Sequence, residues 1–212
     1  ADEAPATRSD SNYTIALADN LLTISTPLSE FVFNKNCNGM FSDLINIQSI
    51  DFGNCVNTAN VIDMGNMFQD CSSLTSLDLS SFNTEKVIDM FFMFQDCSSL
   101  TSLDLSNFNT TNVTDMYNMF DGCSKLTSLD VSSFDFSGVT DPAKFANMFT
   151  NLGADAANKP ITIWVKDNAT ISKLNGVSTG INNSFAKYVS CEIARGERIN
   201  EAIKAFPGSF SE

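Results

Sequence analysis

The sequence predicts an α/β solenoid: a short array of stacked units with one parallel sheet, short helices on the opposite face, and α/β caps at both ends. Three observations predict it. Cys71, Cys97 and Cys123 stand 26 residues apart (97−71 and 123−97), and each opens a near-copy of one string: CSSLTSLDLSSFNTEKVIDMFFMFQD, CSSLTSLDLSNFNTTNVTDMYNMFDG and CSKLTSLDVSSFDFSGVTD. A fixed period in the twenties belongs to units that cannot bury an apolar face alone and stack on their neighbours. Within a copy the apolar period then changes: Leu77 and Leu79 share one face of a strand, whereas Val87, Met90, Phe94 and Cys97 step by three or four, as on a helix.

Residues 1–33 read as an N-terminal linker and capping strands. The run to about residue 12 is polar, and YTIALADNLLTIST (13–26) alternates around Ala18-Asp19-Asn20 as a hairpin or capping strand ended by Pro27. Residues 34–152 read as an array of about four rungs. Met40-Phe41 aligns with Met67-Phe68, and Met119-Phe120 with Met148-Phe149. Strand segments are thereby expected at 47–52, 74–79, 100–105 and 126–131. Asp63, Asp89 and Asp115 are expected to cap the return helices, Asn36 takes that slot one rung earlier, and Asp141 there precedes Pro142. Residues 153–212 lose the register and read as a C-terminal cap. A strand is expected at 161–165, a short helix at 167–174, a strand at 187–193 and an amphipathic helix at 197–206.

Charge and composition exclude several function classes. The net charge is −13 with no histidine. Nucleic acid is therefore not an expected partner, because phosphate binding needs clustered Lys and Arg. Histidine-based acid–base and zinc-finger chemistry are excluded as well. No run of 18 apolar residues occurs, so no transmembrane segment is expected. The start, ADEAPATRSDSN, reads as a polar stalk left after removal of a signal peptide, and no lipidation cysteine stands at position 1. The expected location is secreted or at the cell surface.

The string LTSLDLSSFNT followed by V-x-D-M-x-x-M-F closely resembles the BspA-like leucine-rich repeat of bacterial surface proteins, also found in mycoplasma lipoproteins. The resemblance covers roughly residues 34–152. It implies a leucine-rich-repeat-like array, displayed outside the cell, that binds host or neighbouring-cell molecules. It names no catalytic residues and no cofactor.

Six cysteines in a secreted chain suggest disulfides. In the aligned copies, however, Cys71, Cys97 and Cys123 share a slot with Leu44, Cys55 with Phe82, Phe108 and Phe134, and Cys37 with Met64, Met90 and Met116. Interchange with large apolar residues marks buried free thiols. Rungs about 4.8 Å apart leave a bond between neighbours geometrically open. Metal binding by the cysteine row is not expected, since thiolates in one straight row cannot converge. Cys191 falls in the cap and its pairing is unreadable.

The polar face of the strand segments supplies the candidate ligand-binding residues. Asp51, Asp78, Asp104 and Asp130 form one column, flanked by Ser76, Ser80, Ser102, Ser106, Ser128 and Ser132. At roughly 5 Å, like charges repel by about 0.8 kcal/mol per pair in water and about 3 kcal/mol at an effective dielectric of 20. Hydroxyl hydrogen bonds, a raised pKa, a cation or a basic partner are the ways to relieve it. The expected function is non-enzymatic recognition or adhesion, directed at a protein or glycan on a host or neighbouring cell. A structural spacer and a hydrolase with its site in 153–212 are the alternatives. Four strands give only ~250 Å² of sheet face against the ~800 Å² of a standard patch, so loops or multivalent display must add to it.

Overall fold

The computed structural model describes residues 6–9, 14–53, 55–154, 161–175 and 186–190. Strands β1 (Ala6–Ser9), β2 (Thr14–Ala18), β3 (Leu21–Ser25), β4 (Phe31–Val32), β5 (Ser49–Asp51), β6 (Val56–Asn57) and β7 (Ser128–Asp130) precede a 3-10 helix at Pro142–Phe145. Strand β8 (Ile161–Val165), helix α1 (Asn168–Asn175) and strand β9 (Ala186–Ser190) come after it. They form three separate sheets, of order β1-β2-β3-β5, β4-β6 and β7-β8-β9.

The predicted hairpin is present. Asp19 (φ 49°) and Asn20 (φ 61°) make the left-handed two-residue turn between β2 and β3, the turn whose twist matches that of the strands it joins. The polar run expected as a linker contains β1, which pairs antiparallel with β2. Strand β8 occupies the predicted 161–165, and α1 and β9 overlap the helix and strand expected after it. The helix expected at 197–206 and Cys191 lie outside the described residues.

The leucine-rich-repeat-like solenoid, with one parallel sheet along the array and helices behind it, is not the fold. The sheets are small and separate, and among the described residues the one α-helix lies beyond the copies, at Asn168–Asn175. Two local causes replace the expected elements. In the strand segments, an aspartate turn closes each segment: Ser80 and Ser106 donate to Asp78 and Asp104 Oδ1, each at 2.9 Å, as Gly53 and Ser132 do to Asp51 and Asp130 in the two segments that form short strands. Short polar side chains compete with regular pairing in this way. The first and last segments pair with cap strands instead, β5 with β3 and β7 with β8.

In the return segments, backbone dihedrals rule out helices. Asn66, Asp70, Phe92, Asp96, Asn118, Asn147 and Asn151 all have φ between 54° and 58°, four residues apart within a copy. Gly39, Asp43 and Gly122 hold the equivalent positions with φ of 64°, 61° and 76°. One left-handed residue in every four stops a right-handed helix. Hydrogen bonding then alternates. Met90, Phe92, Phe94 and Asp96 donate to Asp115, Tyr117, Met119 and Asp121 carbonyls in the next copy, at 2.8–3.0 Å. Met93, Gln95 and Cys97 donate three residues back, at 3.1–3.3 Å.

Packing between adjacent copies makes the core. Phe41, Phe68, Phe94, Phe120 and Phe149 stack nearly parallel, with centroids 5.6, 5.7, 5.7 and 6.0 Å apart. Burying each such side chain contributes about 1.5–3 kcal/mol. Beside them runs a ladder of buried threonines. Thr84 Oγ1 donates to Asn109 O (3.0 Å) and accepts Asn109 N–H (2.8 Å). Thr58 does the same with Asn83, and Thr110 with Asp135.

Among the described residues five cysteines are free, four of them buried and Cys55 half-buried. Cys71, Cys97 and Cys123 each donate Sγ–H to a phenylalanine carbonyl about one copy earlier, at 3.1–3.2 Å. Burial pushes the Cys71 thiol up to about 11 and raises Cys97 and Cys123 as well.

Candidate functional site

Three of the four candidate aspartates meet in one hollow. A depression of about 500 Å³ runs across the strand segments, walled by Asp51, Asp78 and Asp104 with Ser49, Ser76 and Ser102, and floored by Leu21, Ile50 and Leu77. A smaller hollow of about 250 Å³ adjoins it, where Asp51 and Asp78 meet Gly53, Ser80 and Ser81. Alternation along the chain explains the layout: Leu77 and Leu79 are buried, and Ser76, Asp78 and Ser80 between and beside them are exposed. Asp130 and Ser128 are exposed on β7, alongside Trp164 and Thr162 of β8, and do not line the hollow. Ser106 and half-buried Ser132 do not line it either; their N–H groups serve Asp104 and Asp130.

Each carboxylate is held by its own turn. Gly53, Ser80, Ser106 and Ser132 donate to Oδ1 of Asp51, Asp78, Asp104 and Asp130, at 2.7, 2.9, 2.9 and 2.9 Å. These bonds decide the electrostatics. Backbone N–H and then hydroxyl hydrogen bonds from Ser80 and Ser106 hold Asp78 and Asp104 below the usual carboxylate range. Repulsion from Asp104 raises Asp78 less than those bonds lower it. Of the ways to relieve a column of like charge, the molecule uses serine hydrogen bonds and exposure to water. Among the described residues, no group of three or more Cys, Asp or Glu is placed to hold a metal ion.

The second aspartate column repeats the same turn. Gly65, Phe91, Tyr117 and Ala143 donate to Oδ1 of Asp63, Asp89, Asp115 and Asp141, at 2.8, 3.0, 3.0 and 2.9 Å. Of these, Asp141 alone opens a helix, the 3-10 turn at Pro142–Phe145. The others open left-handed turns. What the sequence pattern left unseen is the threonine ladder and the left-handed positions. Their signal is the recurrence of Thr58, Thr84 and Thr110, and of Gly, Asn or Asp four residues apart in every copy but the one that places Phe92 before Asp96.

The family described as Mycoplasma protein of unknown function, DUF285, matches residues 35–164, more than half of the chain. The chain belongs to this family. The match reaches Trp164 in β8 and takes in every residue that lines the candidate hollow except Leu21. No curated protein and no solved structure matches the chain. The family description gives no activity, so a functional reading rests on the chemistry of the hollow. Among the described residues no helix is long and apolar enough to cross a membrane. The 153–212 segment, the alternative place for a hydrolase site, falls mostly outside the described residues.

Proposed function

We propose that the chain is a recognition module of a bacterial surface or secreted protein, and that it binds a glycan or protein partner through the hollow of Asp51, Asp78 and Asp104. The observation that carries this reading is the alignment of three like aspartate turns along one open groove. In each, Oδ1 accepts a backbone N–H, from Gly53, Ser80 or Ser106, which fixes the orientation of an exposed carboxylate. Preorganised acceptors at regular spacing suit sugar hydroxyls or basic side chains, and they bind with little ordering cost. The motif's likeness to BspA-like surface proteins supports display outside the cell. The groove is small beside a standard interface, so single-site affinity is weak and useful binding relies on repeated presentation.

The test is an array of host glycoproteins and glycans probed with the chain and with Asp78→Asn/Asp104→Asn. Loss of signal in the double variant, with an unchanged thermal melt, supports the reading. Ligands retained in full by that variant would sink it, as would an array with no ligand at all.

A further inference from the structure

A second groove, which shares no residue with the first, lies over the return segments. Its walls come from the position two residues after the turn-opening aspartate, held by Phe91, Tyr117 and Ala143 in successive copies and by Gly65 one copy earlier, outside the lining. Gly65 shapes it by having no side chain. A methyl there would lie 2.8 Å from Cδ1 of Phe91, closer than atoms approach. The Phe91 ring therefore lies back over the preceding copy. The gap it leaves is a hollow of about 520 Å³ lined by Asp89, Phe91, Asp115, Tyr117, Ala143 and Lys144.

The walls are fixed and their chemistry is mixed. The Phe92 ring meets Phe91 and Tyr117 edge-on, at 5.4 and 5.2 Å, and holds both half-buried rings in place. Phe92 does so at φ 55°, where the equivalent residues are Gly39, Asn66, Asn118 and Asn147. At the base, buried Asp115 pairs with Lys144. Half-buried Asp89 has Oδ1 on the Phe91 N–H at 3.0 Å and lies between the carboxylates of Asp63 and Asp115. The lining thus holds two carboxylates and one ammonium.

From this geometry we infer that the groove binds a cationic side chain of a partner polypeptide, an arginine in particular, with its guanidinium against the Phe91 and Tyr117 rings and hydrogen-bonded to Asp89. Arginine fits better than lysine. Its planar guanidinium stacks on aromatic faces, is weakly hydrated, and forks onto a carboxylate. The chain's net charge of −13 draws such a partner in. Lys144 is the resident cation and competes with the guest for the two aspartates.

The probe is the tripeptide acetyl-Gly-Arg-Gly-amide, titrated against the labelled full chain and followed by amide shifts in NMR. Saturable shifts are expected at Phe91, Tyr117 and Lys144. Asp89→Asn and Phe91→Ala each weaken binding by about tenfold, and Gly65→Ala, which drives the ring back into the hollow, does the same. Lys144→Met strengthens binding several-fold, which loss of a merely structural ion pair would not do. Asp89→Asn keeps an acceptor for the Phe91 N–H, so it tests the idea even where Gly65→Ala misfolds. Equal binding of the citrulline analogue overturns the proposal. So do shifts confined to Asp78 and Asp104, affinities untouched by all four variants, or a neutral chitin trisaccharide that occupies the groove when the peptide does not.

Discussion

A glycine–alanine comparison at Asp96 separates the turn geometry of the return segment from a helix. Asp96 is exposed, has φ 56°, and sends its N–H to Asp121 O at 2.8 Å. In a helix interior glycine is less stable than alanine by about 0.8–1.0 kcal/mol. At a left-handed position the order reverses. An L side chain there costs about 1–2 kcal/mol, of which the greater freedom of glycine in the unfolded chain offsets about 0.5–1. Asp96→Gly should therefore be more stable than Asp96→Ala by about 0.5–1 kcal/mol. Both variants lose the same carboxylate, so its repulsions cancel from the difference. The next copy already places Gly122 at this position, with φ 76°. In urea, with a slope of about 2 kcal/mol per molar, the glycine variant should unfold at a midpoint roughly 0.3–0.5 M higher by circular dichroism. An alanine variant at least as stable as the glycine one would refute the left-handed turn and restore the helix.

Three further outcomes are expected. Asp104→Asn keeps an acceptor for the Ser106 N–H and should change stability at pH 7 by only about 0.3 kcal/mol, whereas Asp104→Ala should cost about 0.5–1 kcal/mol. Because the Asp104 carboxyl is held below its usual range, the wild type's advantage over Asp104→Ala is complete above about pH 4 and fades as pH falls through the depressed value. Urea melts at pH 7 and about pH 2.5 check this, and an advantage that grows in acid contradicts it. Native thiol titration should label half-buried Cys55 first and reach Cys71, Cys97 and Cys123 only on unfolding, while mass mapping that finds those three paired ends the free-thiol account. Phe94→Ala, which removes a ring stacked 5.7 Å from both Phe68 and Phe120, should cost about 3–5 kcal/mol; a thermal melt unchanged from wild type would show that the ring column does not hold the core.

Burial was the most legible property of this sequence. Leu74, Leu79, Val87, Met90, Phe94 and Cys97 are all essentially inaccessible, because a repeating apolar pattern must turn the same side chains inward in every copy. Hydrogen bonding was not legible from that pattern. Apolar residues three and four apart suit a helix, but they equally suit a chain that turns left-handed at every fourth residue. Periodicity alone does not tell the two apart; Asn66, Asp70, Asp96 and Asn118, residue types that tolerate positive φ, do. The strand segments failed for a related reason. Asp78 and Asp104 are read from sequence as surface charge, yet each accepts a backbone N–H and closes its segment in a turn. At the site, alternation made Ser76, Asp78 and Ser102 legible as exposed. Where the hollow stops was not, because Asp130 is drawn into pairing with β8 at the far end. The second groove depends on a missing side chain at Gly65, which no pattern of apolar or charged residues marks.

The two grooves differ in how repetition builds them. Residues that recur in every copy mostly hold copies together: the phenylalanine column, the threonine ladder, and the aspartates that close each turn. Asp51, Asp78 and Asp104 recur because each turn needs its acceptor, and their groove arises as a by-product of stacking identical turns. Such a site is redundant. Neutralising Asp78 alone leaves Asp51 and Asp104 in place, so affinity should decline in steps with each aspartate removed. The return-segment groove has the opposite character. Gly65, Phe91, Tyr117 and Ala143 are four different residues at equivalent positions, and the hollow exists only because a residue with no side chain precedes two with rings. Lys144 stands beside it in a stretch that interrupts the period, since 148−119 is 29 rather than 26. Its ring pair and Lys144 have no second version in the other described copies, although Asp89 recurs as Asp63, Asp115 and Asp141. A single change at Phe91 therefore carries its whole tenfold loss, with no ring in a neighbouring copy to replace it. Loss shared among equivalent aspartates on one face, and concentrated in single residues on the other, is the behaviour that distinguishes a surface made by repetition from one made by departures from it.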